Sequence, residues 1–205
     1  MVVFSTAYLP PVQYFGEVSG FKEILIEACE TYPRQTYRNR CSIYTANGAL
    51  DLSIPVHKPE GNRTKTKEVR ISYRENWQQI HMRAIESAYN ASPFYLYYKD
   101  ELTPFFLEKK YKYLLEFNTE LFKVICNCCG IECRTKFTDS FRKEREQDYR
   151  NCFSPKKRDI AIPAYPQVFG HKFGFIPGLS IIDLLFNLGP ETKAYLTGIT
   201  RQMNR

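Results

Sequence analysis

Two short stretches of alternating polarity, set either side of an Asn-Gly step, constrain this chain more than any other feature. Cys41-Ser42-Ile43-Tyr44 and Leu50-Asp51-Leu52-Ser53-Ile54 place apolar and polar residues in turn, the period of a strand with one buried face. Between them, Asn47-Gly48 is the dipeptide favoured in two-residue hairpin turns, where both central positions take positive φ. A β-hairpin over 40–56 follows. The approach to it, from Tyr32 onward, is of another kind: Gln35, Tyr37, Arg38, Asn39 and Arg40 crowd amide, phenol and guanidinium groups together. A plain hairpin does not need that density of ligand-type groups.

The N-terminal segment sets the fold class. Val2 to Ser5 is an apolar run, Thr6 to Pro11 a loop, and Val12 to Val18 carries helical apolar spacing. Phe21 to Glu27 holds Ile24-Leu25-Ile26. Strand, helix, strand is the βαβ unit, for which parallel pairing is expected, and its first loop opens at the carboxyl edge, where open α/β sheets bind ligands. Beyond the hairpin, residues 68–73 alternate as a further strand. Asn76 is placed to cap a helix from Trp77 to about Asn90, with Trp77, Ile80, His81, Ala84, Ile85 and Ala88 on one stripe. A short aromatic helix is expected over 94–102, with a new turn opening at Thr103-Pro104. The clearest helix runs from Tyr111 to Cys129 and stops at Gly130. A strand returns over 131–137, residues 139–178 form a long segment of the kind that serves as a functional lid or as a mobile loop, and Ser180 with Asp183 reads as a capping box opening 181–188. Gly189-Pro190 breaks that helix before a last one over 191–197. The expectation is one α/β domain over 1–205: a central mixed sheet bearing the hairpin in about 1–93, flanked by helices, and a mainly helical part from about 94.

Charge narrows the partners. Lys and Arg number 29 against 22 Asp and Glu, a formal net +7, which favours anionic ligands such as phosphates, nucleotides or nucleic acid. Seven cysteines without a secretory leader point to free thiols in the cytoplasm, and no apolar run approaches the roughly 20 residues of a membrane span.

The candidate site is the hairpin approach. Arg38 and Arg40 can grip a diphosphate while Gln35 and Asn39 fix a sugar or base; a solvated basic edge strand explains the same residues equally well. His81 is the candidate acid–base group, although its position on the apolar stripe is also that of a core histidine. Arg83 is a further candidate substrate-binding residue; the plainer reading pairs it on the helix surface with Glu86, one turn away, for about 0.2–0.5 kcal/mol. Cys126, Cys128, Cys129 and Cys133 invite a zinc reading, but there is no second pair of ligands and the helix stripe accounts for them, so no metal is assigned. Loop 8–11 lacks glycine and is neither a dinucleotide fingerprint nor a P-loop; no cofactor is assigned. No G-x-S-x-G elbow or H-E-x-x-H pair is present.

Taken in order, YLPPVQYF at 8–15, YRNRC at 37–41, ANG at 46–48, IPV at 54–56 and WQQIHMRAIESAYNASPFYLYY at 77–98 resemble the WbqC-like family. LSIIDLLFNLGPE at 179–191 looks like the end of its shorter, Bacteroidetes-type branch. Where many members carry a His-Gln-Pro or Gln-Pro step before the Tyr-Leu-Pro loop, this chain has Ser5-Thr6-Ala7. The resemblance implies a transferase acting on nucleotide-linked or phosphorylated sugars in surface polysaccharide (O-antigen type) assembly. Arg38 and Arg40 would hold the anion, Tyr8 and Tyr37 shape the pocket, and His81 accept a proton from the attacking group. The alternative is a non-catalytic module for RNA or another polyanion, suggested by the basic stretch 63–74, Lys156-Lys157-Arg158 and the many tyrosines.

Overall fold

The computed structural model describes residues 1–156 and 161–203. β1 (Val3–Ser5), α1 (Val12–Ser19) and β2 (Glu23–Glu27) form the expected parallel βαβ unit, with Val3 opposite Leu25. β3 (Arg40–Thr45) and β4 (Gly48–Ser53) form the hairpin, and β5 (Val56–His57) pairs with β6 (Arg70–Ile71). Three helices follow: α2 (Trp77–Tyr89), α3 (Tyr95–Leu107) and α4 (Leu114–Cys128). Then β7 (Arg134–Phe137) joins β2 in parallel, giving the sheet order β1-β2-β7. A four-residue α5 (Gly170–Phe173), α6 (Ile181–Leu188) and α7 (Thr192–Met203) complete the chain.

The α/β class is as the sequence indicates, but the hairpin lies outside the parallel sheet. The outer edge of β3 is already occupied: the Ser42 carbonyl accepts from Ser180 N (2.8 Å) and Tyr44 N donates to the Tyr89 hydroxyl (3.1 Å). A helix cap and a phenol take the place of a neighbouring strand, which protects the edge. The turn also differs. Its corner is Ala46-Asn47, and positive φ is confined to Gly48 (φ 97). Thr45 stabilises this arrangement, its hydroxyl accepting from Asn47 N and donating to the Gly48 carbonyl at 2.8 Å.

Other local expectations yield to tertiary partners. Of 68–73, two residues pair as β6; their other edge runs against the approach to α4, with Ile71 N on the Lys112 carbonyl and Leu114 N on the Val69 carbonyl. α3 passes through Pro104 without a break. The carbonyl that loses its donor belongs to exposed Asp100, and the Thr103 hydroxyl bonds the Lys99 carbonyl at 2.8 Å. Asn76 precedes α2, but its amide bonds Gln79 and not the helix backbone. On α2, Ile80 is exposed, whereas Gln78 is buried, donating to the Phe105 and Glu108 carbonyls at 2.8 Å. Gly130 (φ 67) ends α4 as expected, with Ile131 N reaching back to the Cys126 carbonyl.

The segment after β7 is pinned at several points. Val3 N donates to the Gln147 carbonyl and Tyr149 N to that of Val3, so residues 147–149 run beside β1. Further on, Gln167 closes a ten-residue loop, bonding Ile176 N (2.9 Å) and its carbonyl (3.0 Å) through one amide. Tyr44 holds that loop by donating to the Phe169 and Gly174 carbonyls. Lys157 and Arg158 of the basic cluster lie outside the described residues.

Candidate functional site

Parallel pairing brings the ends of β1, β2 and β7 to one edge, and the charged side chains gather there. Glu27, the last residue of β2, is fully buried. Its Oε1 accepts from Cys29 N (2.9 Å) and the Thr138 hydroxyl (2.7 Å), and its Oε2 pairs with Arg150 Nη1 at 3.1 Å. Arg150 spends its remaining donors on both Asp148 carboxylate oxygens and the carbonyls of Arg142 and Lys143. Hydrogen bonds from Arg150 hold the Asp148 carboxyl below the usual range.

Three residues on, a second buried pair forms. Arg38 Nε donates to Glu30 Oε1 at 2.8 Å, and Nη2 lies 2.7 Å from the same oxygen. The Thr66 hydroxyl approaches that oxygen at 3.5 Å, while Glu30 Oε2 has no hydrogen bond among the described residues. Burial raises the Glu30 pKa; Arg38 pulls it back down, Glu27 adds to the rise, and Arg150 opposes it, so the two pairs act on each other. Asn118 ties this edge to the β1 loop, donating to the Thr6 hydroxyl (3.1 Å) and the Arg38 carbonyl (2.8 Å). Beside it, Thr6, Tyr14, Asn118 and Thr135 help line a cavity of about 10 Å³, room for one water.

The sequence-predicted residues divide. Tyr8, Tyr37, Arg38 and His81 are buried. Tyr8 N bonds the Tyr37 carbonyl at 2.8 Å, and the Tyr8 hydroxyl meets His81 Nδ1 at 2.9 Å. The Ser53 carbonyl draws a second hydrogen bond from the His81 ring, and burial lowers the His81 pKa to about 4. The ring is therefore neutral, Nδ1 accepts from Tyr8, and both nitrogens are engaged. Arg40 is half-buried at the start of β3; Asn39 is committed to the hairpin, its amide on the Ile54 carbonyl at 2.8 Å. Gln35 (φ 56) and Arg83 are exposed, away from this cluster's hydrogen bonds, and no ion pair joins Arg83 to Glu86 among the described residues.

Sequence reasoning passes over Glu27, Glu30, Tyr32, Asn118 and Arg150. A signal for the two acids is present in ILIEACE, where carboxylates end a buried parallel strand. Arg150 has no local signal, being 123 residues from Glu27.

Two other clusters are of a different character. Cys126 and Cys129 are buried, Cys128 and Cys133 half-buried, and burial pushes all four thiols up, the last two to about 11. Such thiols are poor nucleophiles. Among the described residues, no three Cys, His, Asp or Glu side chains are grouped to hold a metal ion. Asp183 does not return to the α6 cap, which Ser180 makes alone by accepting from Ile182 N. Its fully buried carboxylate accepts instead from Tyr165 (2.7 Å), Tyr89 (2.9 Å) and Gln167 (3.0 Å).

The fold and this edge define an α/β protein whose strand-end loops meet around buried, oppositely charged side chains. The chain belongs to the WbqC-like protein family, whose profile matches residues 6–154 and 155–195. It is similar to the uncharacterised protein Rv1507c of Mycobacterium tuberculosis (strain ATCC 25618 / H37Rv), with 26% identity over 96% of each chain. No solved structure matches it. No helix among the described residues is long and apolar enough to cross a membrane.

Proposed function

We propose that this protein is a transferase acting on a nucleotide-linked or phosphorylated sugar, in the assembly of surface polysaccharide of the O-antigen type. The observation that carries the reading is the pair of coupled ion pairs, Glu27–Arg150 and Glu30–Arg38, at the carboxyl edge of a parallel sheet. Buried ion pairs add little to stability compared with well-packed apolar residues, and a perturbed carboxylate such as Glu30 near the carboxyl edge of a parallel sheet is a mark of function. The sugar class rests on the family resemblance, and the net charge of +7 suits an anionic donor.

In this reading Arg38 and Arg40 hold the anionic part of the donor, and Tyr8 and Tyr37 form the wall behind it. Glu30 Oε2, free of other bonds, takes the proton of the attacking hydroxyl or amine. His81 acts through Tyr8, fixing its hydroxyl and with it the 6–11 loop. The reading places the protein in the cytoplasm, where nucleotide-linked sugars are made.

The test is calorimetric titration of the full chain with a panel of nucleotide sugars and with short single-stranded RNA, at two salt concentrations. Binding of one nucleotide sugar, lost in Arg40→Ala and kept in Arg83→Ala, supports the transferase. Binding of RNA alone, with affinity falling steeply as salt rises, would replace it with the polyanion-binding module.

A further inference from the structure

Three buried donors at the hairpin approach have no hydrogen-bond acceptor among the described residues: the Tyr32 hydroxyl, Arg38 Nη2 and Arg40 Nε. Tyr32 is 6% exposed and Arg38 3%. Nη2 of Arg38 is close to Glu30, but the contact is electrostatic and off the hydrogen-bond line. The three belong to one neighbourhood, since both guanidinium groups and Glu30 act on the Tyr32 phenol. Burial keeps that phenol protonated and therefore able to donate. Unmet donors of this kind are costly, and native structures leave few of them. Three such donors in one neighbourhood call for an acceptor that binds from outside.

We infer that Tyr32, Arg38 and Arg40 form a subsite for a phosphate or diphosphate group, in which Glu30 holds Arg38 until that group arrives. The inference rests on the proposed function for the identity of the whole ligand, not for the subsite. Charge favours a phosphate: two guanidinium groups face one carboxylate, and among the described residues no carboxylate lies within ion-pair distance of Arg40. Shape favours it too, because a tetrahedral phosphate turns several oxygens to three donors, whereas a carboxylate offers two. The donors are also held in place. The Tyr32 segment is bonded along its length to residues 64–67: Lys67 N to the Ala28 carbonyl, Thr66 N to that of Glu30, and Tyr32 N to that of Thr64. Arg40 is set opposite Ser53 in the hairpin ladder. A subsite built on fixed backbone loses little entropy when the anion enters.

The experiment is calorimetry of the full chain with inorganic pyrophosphate and with a uridine-diphosphate sugar at pH 7.5 and low salt. It uses wild type, Tyr32→Phe, Arg40→Ala, Arg40→Lys and Glu30→Gln, each first checked for an unchanged unfolding midpoint. Pyrophosphate is expected to bind wild type, about 10-fold more weakly to Tyr32→Phe and about 10- to 100-fold more weakly to Arg40→Ala. Glu30→Gln is expected to bind more tightly, since the resident carboxylate no longer competes. No binding to wild type, or binding that Tyr32→Phe and both Arg40 variants leave unchanged, overturns the subsite. Weaker binding by a folded Glu30→Gln overturns the role given to Glu30. Pyrophosphate binding without any nucleotide-sugar binding would sink the transferase reading and leave the subsite standing. Sugar-nucleotide binding indifferent to Tyr32 would do the reverse.

Discussion

Asp183 on one side and the neighbouring Glu27 and Glu30 on the other are buried carboxylates treated in opposite ways. Asp183 is met by neutral groups, the hydroxyls of Tyr89 and Tyr165 and the Gln167 amide, and no cation pairs with it among the described residues. Glu27 and Glu30 are met by guanidinium groups. A hydroxyl has one proton to give, so the Asp183 cage closes on itself and ties the 165–176 segment to α2 and α6. A guanidinium has five N–H donors. Arg150 places its donors on protein, whereas Arg38 retains one with no acceptor. The comparison sets a tie whose hydrogen bonds are complete beside a cluster that keeps a donor unmet, the feature on which the proposed subsite rests.

The contrast breaks most readily at Arg150. Arg150→Ala leaves Glu27 buried without its cation and is expected to cost about 3–5 kcal/mol in urea unfolding at pH 7; a cost below about 1 kcal/mol would mean that the edge is not a coupled network. His81 comes next. Its folded pKa of about 4 lies below the unfolded value of 6.5, so the unfolded chain binds more protons in between. The His81 contribution to stability should fall as pH falls from 6.5 to 4, by up to about 3 kcal/mol, and comparison of wild type with His81→Gln should isolate that slope. At Asp183 the sign reverses. Burial raises its pKa from 3.8 to about 6, so the folded state binds more protons. Its contribution to stability falls as pH rises from 4 to 6 and is level above, a change of about 2–3 kcal/mol. Asp183→Asn should remove that fall in a thermal-melt series; an unchanged series would mean that the cage does not perturb the carboxylate. The smallest effect is at exposed Arg83, where Arg83→Ala should stay within about 0.5 kcal/mol of wild type. A larger loss, or a loss of ligand binding, would extend the site onto α2.

Much of the backbone was legible. The βαβ unit, the hairpin, the return of a strand within 131–137 to the sheet, the span of α1 and α6 and the stop of α4 at Gly130 all followed from apolar spacing and turn residues, which act over a few positions. The start of α4, by contrast, falls three residues later than its spacing predicts. The misreadings fell where a distant group replaced a local one. Gly48 carried the positive φ because Thr45 stabilised a different turn, α3 continued through Pro104 because Asp100 faces solvent, and Asp183 left its helix cap for two tyrosines and a glutamine. The site was legible in part. Arg38 and Arg40 stood out as clustered guanidinium groups, and Arg83 lay on the polar face of its helix, but nothing beside Gln35 marked its exposure.

The α/β class, the order of the elements and the clustering of ligand-type groups at the hairpin approach could be read from the chain itself, since each rests on neighbours in sequence. The tertiary structure alone decided which charges meet. Glu27 finds Arg150 at 123 residues' distance, Tyr8 finds His81 at 73, and Tyr89 finds Asp183 at 94. Whether a buried group is satisfied or left with a donor to spare depends on such pairings, and no local pattern encodes them.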